Sequence, residues 1–192
     1  MDHKATLQAA LSQVRQDLVS KLDGLDEYDV RRPLVPTGTN LLGLVKHVGA
    51  VSLGYLSVVF GRDPGYDLDA FFGDNEDDLW AKPAESRQSV TDLFAHAARV
   101  GDATIAALDL DSTGAVPWWP PERRAVTLQQ ILVHLVNEVA RHAGQADILR
   151  EMIDGQAGRF VADPSLTERT ADAWLGHRAR LEQAALEAAQ RA

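Results

Sequence analysis

Three side chains in one stretch of the sequence, His134, Glu138 and His142, follow one another at intervals of four residues. In an α-helix this interval puts neighbouring side chains on one face, a single turn apart. A carboxylate and an imidazole spaced in this way can bind one divalent ion, at about 2.0–2.2 Å from each ligand atom. Glu138 and His142 are therefore candidate metal ligands, although the same pair could equally form a simple hydrogen bond.

A third ligand has to come from elsewhere in the chain, and His47 is the best candidate. It lies in the middle of residues 41–60, a segment that is apolar on nearly every side. Burying an imidazole there costs free energy unless its nitrogens find partners. A metal ion would satisfy them, and so would an ordinary hydrogen bond. His134 could be a fourth ligand or could pack beside the site, because it is offset from His142 by about 80° around the helix.

Helices have to position these residues, and hydrophobic periodicity predicts them over residues 2–22, 41–60, 89–108, 127–155 and from 166 onward. Thr127, with Gln130 three residues later, fits a capping box at the start of the fourth helix. The proline- and glycine-containing segments 27–38, 61–85 and 111–125 are predicted loops. Strand-like alternation is absent. We therefore expect an all-α fold, an up-and-down four-helix bundle in one domain over residues 1–192, with residues 164–192 as an additional peripheral C-terminal helix.

Composition narrows the classes of function. The chain has 192 residues, a formal net charge of -9 and no cysteine. The acidic balance argues against a nucleic-acid partner. We find no apolar run of the length that a signal peptide or a membrane span requires, so we expect a cytoplasmic protein without a membrane partner. The absence of cysteine removes disulfides, thiolate ligands and a protein-borne thiol nucleophile.

Aromatic residues accompany the candidate metal ligands. Trp118 and Trp119 stand in the loop before the fourth helix, and Trp80 and Tyr55 occur in the second loop and the second helix. Aromatic side chains form much of the lining of small-molecule sites, so these four residues are candidates for a pocket. The alternative is that the tryptophans anchor their loop in the core. Arg141 adjoins His142 and is expected to point away from it, toward an acidic partner.

The stretch EVARHAGQADILREMIDG, with the earlier histidine in NLLGLVKHVGAV, resembles the DinB superfamily of metal-binding helical bundles over about residues 5–155. Its character is similar to that of actinobacterial members, which include thiol-dependent transferases and a mycothiol-dependent maleylpyruvate isomerase. The resemblance implies His47, Glu138 and His142 as the metal ligands. Many members have histidine where this chain has Glu138, and the carboxylate favours the mycothiol-using branch. Related sequences often have a second histidine in place of Gln145.

The resemblance also implies a chemistry. Its members use a divalent metal, usually zinc and sometimes nickel, to activate the thiol of a low-molecular-weight cofactor, and a chain without cysteine has to import its sulfur. We therefore expect an S-transferase that moves mycothiol or a related thiol onto an electrophilic small molecule. Arg141, Trp118 and Trp119 are the candidate contacts to the cofactor. The habit of the family and the apolar last helix favour a homodimer.

Three other functions stay open at this point. One is isomerisation of a maleylpyruvate-like acid by reversible thiolate addition, which would need arginines to hold carboxylates. Another is a non-enzymatic, metal-binding, stress-associated protein. The third is hydrolysis by a metal-activated water, which ranks last because Glu138 is assigned as a ligand and no other general base is evident.

Overall fold

A computed structural model describes residues 2–69, 71–72, 78–160, 163–167 and 170–191. The chain divides into two compact units, Met1–Val161 and Ala162–Ala192, which are described separately. The α-helices of the first unit, in chain order from α1 to α5, are His3–Val19, Glu27–Arg31, Leu41–Leu56, Arg87–Ala107 and Leu128–Asp154. The second unit contains α6, Ala171–Ala189. The prediction of an all-α bundle is confirmed, whereas the prediction of one domain with a peripheral last helix stays a prediction.

The four long helices α1, α3, α4 and α5 form the bundle. Helix α3 packs against α4 and α5, and α1 packs against α5. Their facing sides bury a single large cluster of aliphatic side chains, among them Leu11, Leu18, Leu42, Ile131 and Leu135, all at 0% exposure. Burial of this apolar surface is the main driving force of the fold. The candidate metal ligands lie on α3 and α5, two neighbouring helices of this bundle.

Helix α3 is the central helix. The segment Leu41–Phe60, which adds the 3-10 turn Val58–Phe60 to α3, is long and apolar enough to cross a membrane by length and composition. The expectation that no segment reaches that length was therefore wrong. However, 83% of this apolar stretch is buried inside the protein. Its position at the centre of the bundle explains why it is apolar all round.

Side-chain caps define where the helices begin. Thr127 and Gln130 form the predicted capping box of α5, and Gly155 ends that helix with a left-handed φ of 80°. Two helices, α4 and α6, begin at residues other than those that the sequence predicted. Helix α4 begins at Arg87, two residues before the predicted start at residue 89, because Ser86 provides its cap. Helix α6 begins at Ala171, after the cap Thr170, rather than near residue 166.

Two short elements lie in segments that the sequence predicted to be loops. Helix α2, Glu27–Arg31, forms because Asp26 caps it and Arg31 pairs with Glu27 one turn earlier. Strands β1, Thr113–Ala115, and β2, Ala125–Thr127, pair in antiparallel fashion, with Thr113 opposite Thr127. The prediction that strands are absent was wrong at this hairpin. The hairpin holds Trp118 and Trp119 between its two strands, immediately before α5.

Candidate metal centre

His47 of α3 and Glu138 and His142 of α5 come together in the structure. Their potential ligand atoms all lie within 4.8 Å of one another. The Oε1 atom of Glu138 is 3.1 Å from His142 Nε2 and 3.6 Å from His47 Nε2. The two imidazole rings meet edge to face, with centroids 4.9 Å apart. The side chains that the sequence singled out by spacing and resemblance therefore form one cluster, a candidate site for a divalent ion.

The outer nitrogen of each imidazole is held by an oxygen acceptor. His47 Nδ1 donates to Asp78 Oδ2 over 2.5 Å, and His142 Nδ1 donates to Gln145 Oε1 over 2.8 Å. In a neutral imidazole only one nitrogen carries hydrogen, so a donor at Nδ1 leaves Nε2 with a free lone pair. Both Nε2 atoms face the carboxylate of Glu138. Hydrogen bonding of the outer nitrogen to a carboxylate or carbonyl is typical of histidines that bind metals.

The donor set fits a divalent ion on distance and on charge. Ligand atoms about 2.1 Å from one ion in a tetrahedral arrangement stand about 3.4 Å apart, between the two separations measured from Glu138. Three lone-pair donors this close repel one another unless a cation or additional protons lie between them. A divalent cation would also balance the carboxylates of Glu138 and Asp78, which lie against the two imidazole rings.

The carboxyl group of Glu138 is suited to act as a ligand because it stays ionised. Burial alone would raise the pKa of Glu138, but the hydrogen bond and charge of His142, together with those of His47, outweigh it and hold this pKa below its ordinary value. The pKa of His134 is also lowered, mainly by burial and against the influence of Glu138, so this ring is neutral near pH 7.

Asp78 reaches His47 because the loop that carries it lies directly on α3. At Gly43, one turn before His47, an added Cβ would stand 1.9 Å from the carbonyl oxygen of Leu79. Only glycine permits this approach of the two backbones. Lys46 also holds this loop on α3, because its Nζ donates to the carbonyl of Trp80 and pairs with Glu85. Sequence reasoning missed Asp78, and its signal was the acidic run at residues 74–78, of which 74–77 lie outside the described residues.

An aromatic cluster lies beside the cluster of candidate ligands. Trp118 and Trp119 each donate an indole N–H to the hydroxyl oxygen of Tyr55, and the ring of His134 packs on Tyr55 at a centroid distance of 4.7 Å. The contacts His47 with His142 and Tyr55 with His134 show that α3 and α5 run antiparallel at the site. A cavity of about 510 Å³ opens here, lined by Val51, Gly54, Tyr55, Asp69, Phe72, Trp118, His134 and Glu138.

A second, more polar cavity approaches the cluster from the side of His142. It has a volume of about 430 Å³ and is lined by Thr37, Gly38, Thr39, Leu44, Leu79, Trp80, His142 and Gln145. A neighbouring groove of about 590 Å³ shares Thr37, Thr39 and Gln145 with this cavity and continues to Arg141. The candidate ligands thus lie between an aromatic cavity next to Glu138 and a polar cavity next to His142.

The structure also shows where the other residues near the candidate ligands lie. Arg141 lies on the surface and makes no ion pair with any of the residues that the structure describes, so its expected acidic partner stays a prediction. Asp147, five residues after His142 on α5, pairs with buried Lys21 at 2.8 Å. His134 is outside the cluster of potential ligand atoms and packs against Tyr55 and Trp119. Trp80 lines the polar cavity, away from Trp118.

Comparison with known proteins decides the family. Residues 6–155 match the model of the mycothiol-S-transferase family. The chain belongs to this family. This confirms the DinB-like resemblance. A crystal structure of a conserved protein from Enterococcus faecalis is similar in fold, with a TM-score of 0.62 and 19% identity over 81% of this chain and 99% of that chain. No curated protein matches the chain.

Proposed function

We propose that this member of the mycothiol-S-transferase family is a metal-dependent transferase. It would join a low-molecular-weight thiol, mycothiol or a related compound, to an electrophilic small molecule in the cytoplasm. The observation that carries the proposal is the convergence of two imidazole Nε2 atoms and one carboxylate oxygen between two cavities. Family membership supports the choice of thiol. The lack of cysteine supports an external sulfur nucleophile.

The three clustered side chains have one role in this proposal. His47, Glu138 and His142 would hold a divalent ion, zinc or nickel, with a position left open because the protein supplies three ligands. When bound, such an ion removes the proton of a coordinated thiol and provides a thiolate at neutral pH. Asp78 and Gln145 orient the two imidazoles by accepting their Nδ1 hydrogens.

In this proposal the polar cavity would bind the thiol and the aromatic cavity would bind the electrophile. The threonines and Gln145 of the polar cavity, with Arg141 at the end of the adjoining groove, offer hydrogen-bonding partners to the sugar and amide groups of a mycothiol-like molecule. The cavity lined by Val51, Phe72 and Trp118 suits an apolar, planar electrophile. Trp118 therefore lies on the electrophile side, with Trp119 sharing its hydrogen-bond acceptor Tyr55, and Arg141 lies on the thiol side.

The composition of the aromatic cavity favours transfer over isomerisation of a maleylpyruvate-like acid. Such an acid carries two carboxylates, which arginine binds best. The described lining of this cavity contains Asp69 and Glu138 but no arginine. Asp69, which is not a candidate metal ligand, would repel a dicarboxylate, whereas an uncharged electrophile would not be repelled.

Metal analysis followed by turnover tests this proposal. The purified protein should contain one divalent ion per chain. With mycothiol and benzyl bromide it should form the thioether faster than the metal-free protein, and bacillithiol and glutathione should be poorer thiols. One metal per chain without acceleration by any of the three thiols would favour the non-enzymatic metal-binding protein. A Glu138→Ala variant that retains both metal and turnover would contradict the site.

A further inference from the structure

We infer that Tyr55 is a catalytic residue that donates a hydrogen bond, and then a proton, to the carbonyl oxygen of an α,β-unsaturated carbonyl substrate. This inference rests on the proposed thiol transfer and names the class of electrophile that the aromatic cavity takes. It assigns a chemical role to the tyrosine and the two tryptophans that stand beside the candidate ligands but are not among them.

The hydrogen bonds of Tyr55 leave only its own hydrogen available. Its oxygen accepts from Trp118 Nε1 at 3.2 Å and from Trp119 Nε1 at 2.9 Å. An indole N–H can only donate, so the direction of both bonds is fixed. Within the described part of the chain, no side chain or carbonyl group accepts the hydroxyl hydrogen of Tyr55. This hydrogen is therefore free to bind an oxygen atom of a ligand.

The free hydroxyl hydrogen of Tyr55 lies in a buried environment. Tyr55 is only 7% exposed, and it lines the aromatic cavity together with Trp118 and Glu138. A buried O–H group without an acceptor costs free energy, which a ligand oxygen in the cavity would recover. The two indole donors also stabilise negative charge on the phenolic oxygen while its proton moves to the ligand.

The position of Tyr55 on α3 decides between classes of electrophile. It follows His47 by eight residues, a rise of about 12 Å along the helix, and helical side chains lean back toward the N-terminus. Its hydroxyl therefore stands apart from the place where sulfur attacks. In an epoxide the oxygen is bonded to the attacked carbon. In an α,β-unsaturated carbonyl compound three bonds separate the oxygen from the β-carbon, and this greater separation fits the site better.

The reaction is a conjugate addition whose atoms balance. The thiolate sulfur forms a bond to the β-carbon, and the electron pair of the C=C bond shifts to form a double bond between the α-carbon and the carbonyl carbon. The carbonyl π-electrons move to oxygen, which takes the proton of Tyr55. The enol then tautomerises to the ketone. Tyr55 recovers from water the proton that the thiol released, so neither an oxidant nor a reductant is needed.

A comparison of two electrophiles tests the role of Tyr55. Benzylideneacetone carries the carbonyl oxygen, whereas benzyl bromide has an aromatic ring and a leaving group but no oxygen. Loss of a positioned proton donor typically slows a reaction by about 100-fold or more. In Tyr55→Phe we therefore expect kcat/KM for mycothiol with benzylideneacetone to fall by about 100-fold, while the value with benzyl bromide stays within about 3-fold. Tyr28→Phe, which alters an exposed tyrosine on α2, should change neither value.

Binding gives a readout that does not depend on turnover. Quenching of tryptophan fluorescence should report binding of 4-phenylbutan-2-one, a saturated ketone, and of butylbenzene, which lacks the oxygen. Tyr55→Phe should raise the Kd of the ketone by about 5- to 10-fold, the value of one hydrogen bond, and leave that of butylbenzene unchanged. Equal losses with both electrophiles, or unchanged turnover of benzylideneacetone, would overturn the role of Tyr55 alone. A wild-type protein that converts neither electrophile would overturn the transfer itself.

Discussion

His47 donates its Nδ1 hydrogen to Asp78, a residue 31 positions later in the chain, and so turns its Nε2 atom toward Glu138. This contact joins the loop before α4 to the candidate metal centre. It fixes the tautomer of one imidazole and adds a negative charge next to it. The loop that carries Asp78 is therefore part of the candidate site, and loss of this contact should weaken metal binding.

Replacement of Asp78 should weaken metal binding without unfolding the bundle. Loss of a carboxylate that supports a metal-binding histidine typically lowers affinity by about 10- to 100-fold. We expect a loss in this range for Asp78→Ala, measured by competition for zinc with a chromophoric chelator. Asp111→Asn removes an exposed negative charge and should leave the affinity unchanged. An unchanged affinity in Asp78→Ala would show that the contact does not support the ligand.

Replacing Gly43 by alanine should also weaken metal binding, although residue 43 is not a candidate ligand. The Cβ of alanine would stand 1.9 Å from the carbonyl oxygen of Leu79, so in Gly43→Ala the loop must move away from α3 and take Asp78 with it. We expect a loss of zinc affinity close to that of Asp78→Ala. Gly144→Ala on α5, where no atom lies within 4 Å of an added Cβ, should keep its affinity and gain about 0.5–1 kcal/mol in stability. Equal affinities in the two glycine variants would contradict the role of the loop contact.

The pair of Arg150 and Asp154 should make stability depend on pH. Hydrogen bonds from Arg150 are the main cause of the lowered pKa of Asp154, with burial acting against them. A pKa that is lower in the folded state stabilises the protein above the unfolded pKa, and this stabilisation is lost as pH falls through the folded value. Asp154→Asn should therefore be less stable than wild type at pH 7, by about 1 kcal/mol or less because the carboxylate is partly exposed.

Urea unfolding over a series of pH values checks this expectation. The difference in free energy of unfolding between wild type and Asp154→Asn should be constant near neutrality and shrink as the pH is lowered below 5. A difference that grows on acidification would have the opposite sign and would exclude the ion pair as its origin.

Lys21 should be among the most sensitive positions for stability. It is 1% exposed, donates to the carbonyls of Gly158 and Arg159, and pairs with Asp147. Lys21→Met removes these contacts and leaves the oxygen atoms around it without their donor, which should cost about 3 kcal/mol. The free energy of unfolding in urea measures this cost. Arg99→Met, an exposed position on α4, should change it by less than about 0.5 kcal/mol.

The parts of the site that sequence reasoning predicted are those that local geometry determines. The face shared by Glu138 and His142, and the start of α5 at Thr127, depend only on residues within two turns of the same helix. Placing His47 with them needed the resemblance to known bundles, because the face of α3 that meets α5 is decided by packing between distant parts of the chain.

The contacts that sequence reasoning missed depend on tertiary structure. Asp78 is one of several acidic residues at positions 74–78, and no local feature of the sequence distinguishes it from the others. The close approach of Leu79 to Gly43, which places Asp78 beside α3, is a tertiary contact. Trp118 and Trp119 could be proposed as pocket residues. Their common hydrogen-bond acceptor, Tyr55, follows from a short hairpin whose six strand residues carry too little periodicity to be recognised.

Cobalt substitution tests the central claim, that His47, Glu138 and His142 hold a metal ion that activates a thiol. Protein loaded with one Co²⁺ per chain should develop a sulfur-to-cobalt charge-transfer band in the near ultraviolet when mycothiol is added, saturating at one thiol per ion. S-methylated mycothiol should produce no such band, and Glu138→Ala should fail to hold the ion. Stoichiometric cobalt whose spectrum is unchanged by saturating mycothiol would contradict the account.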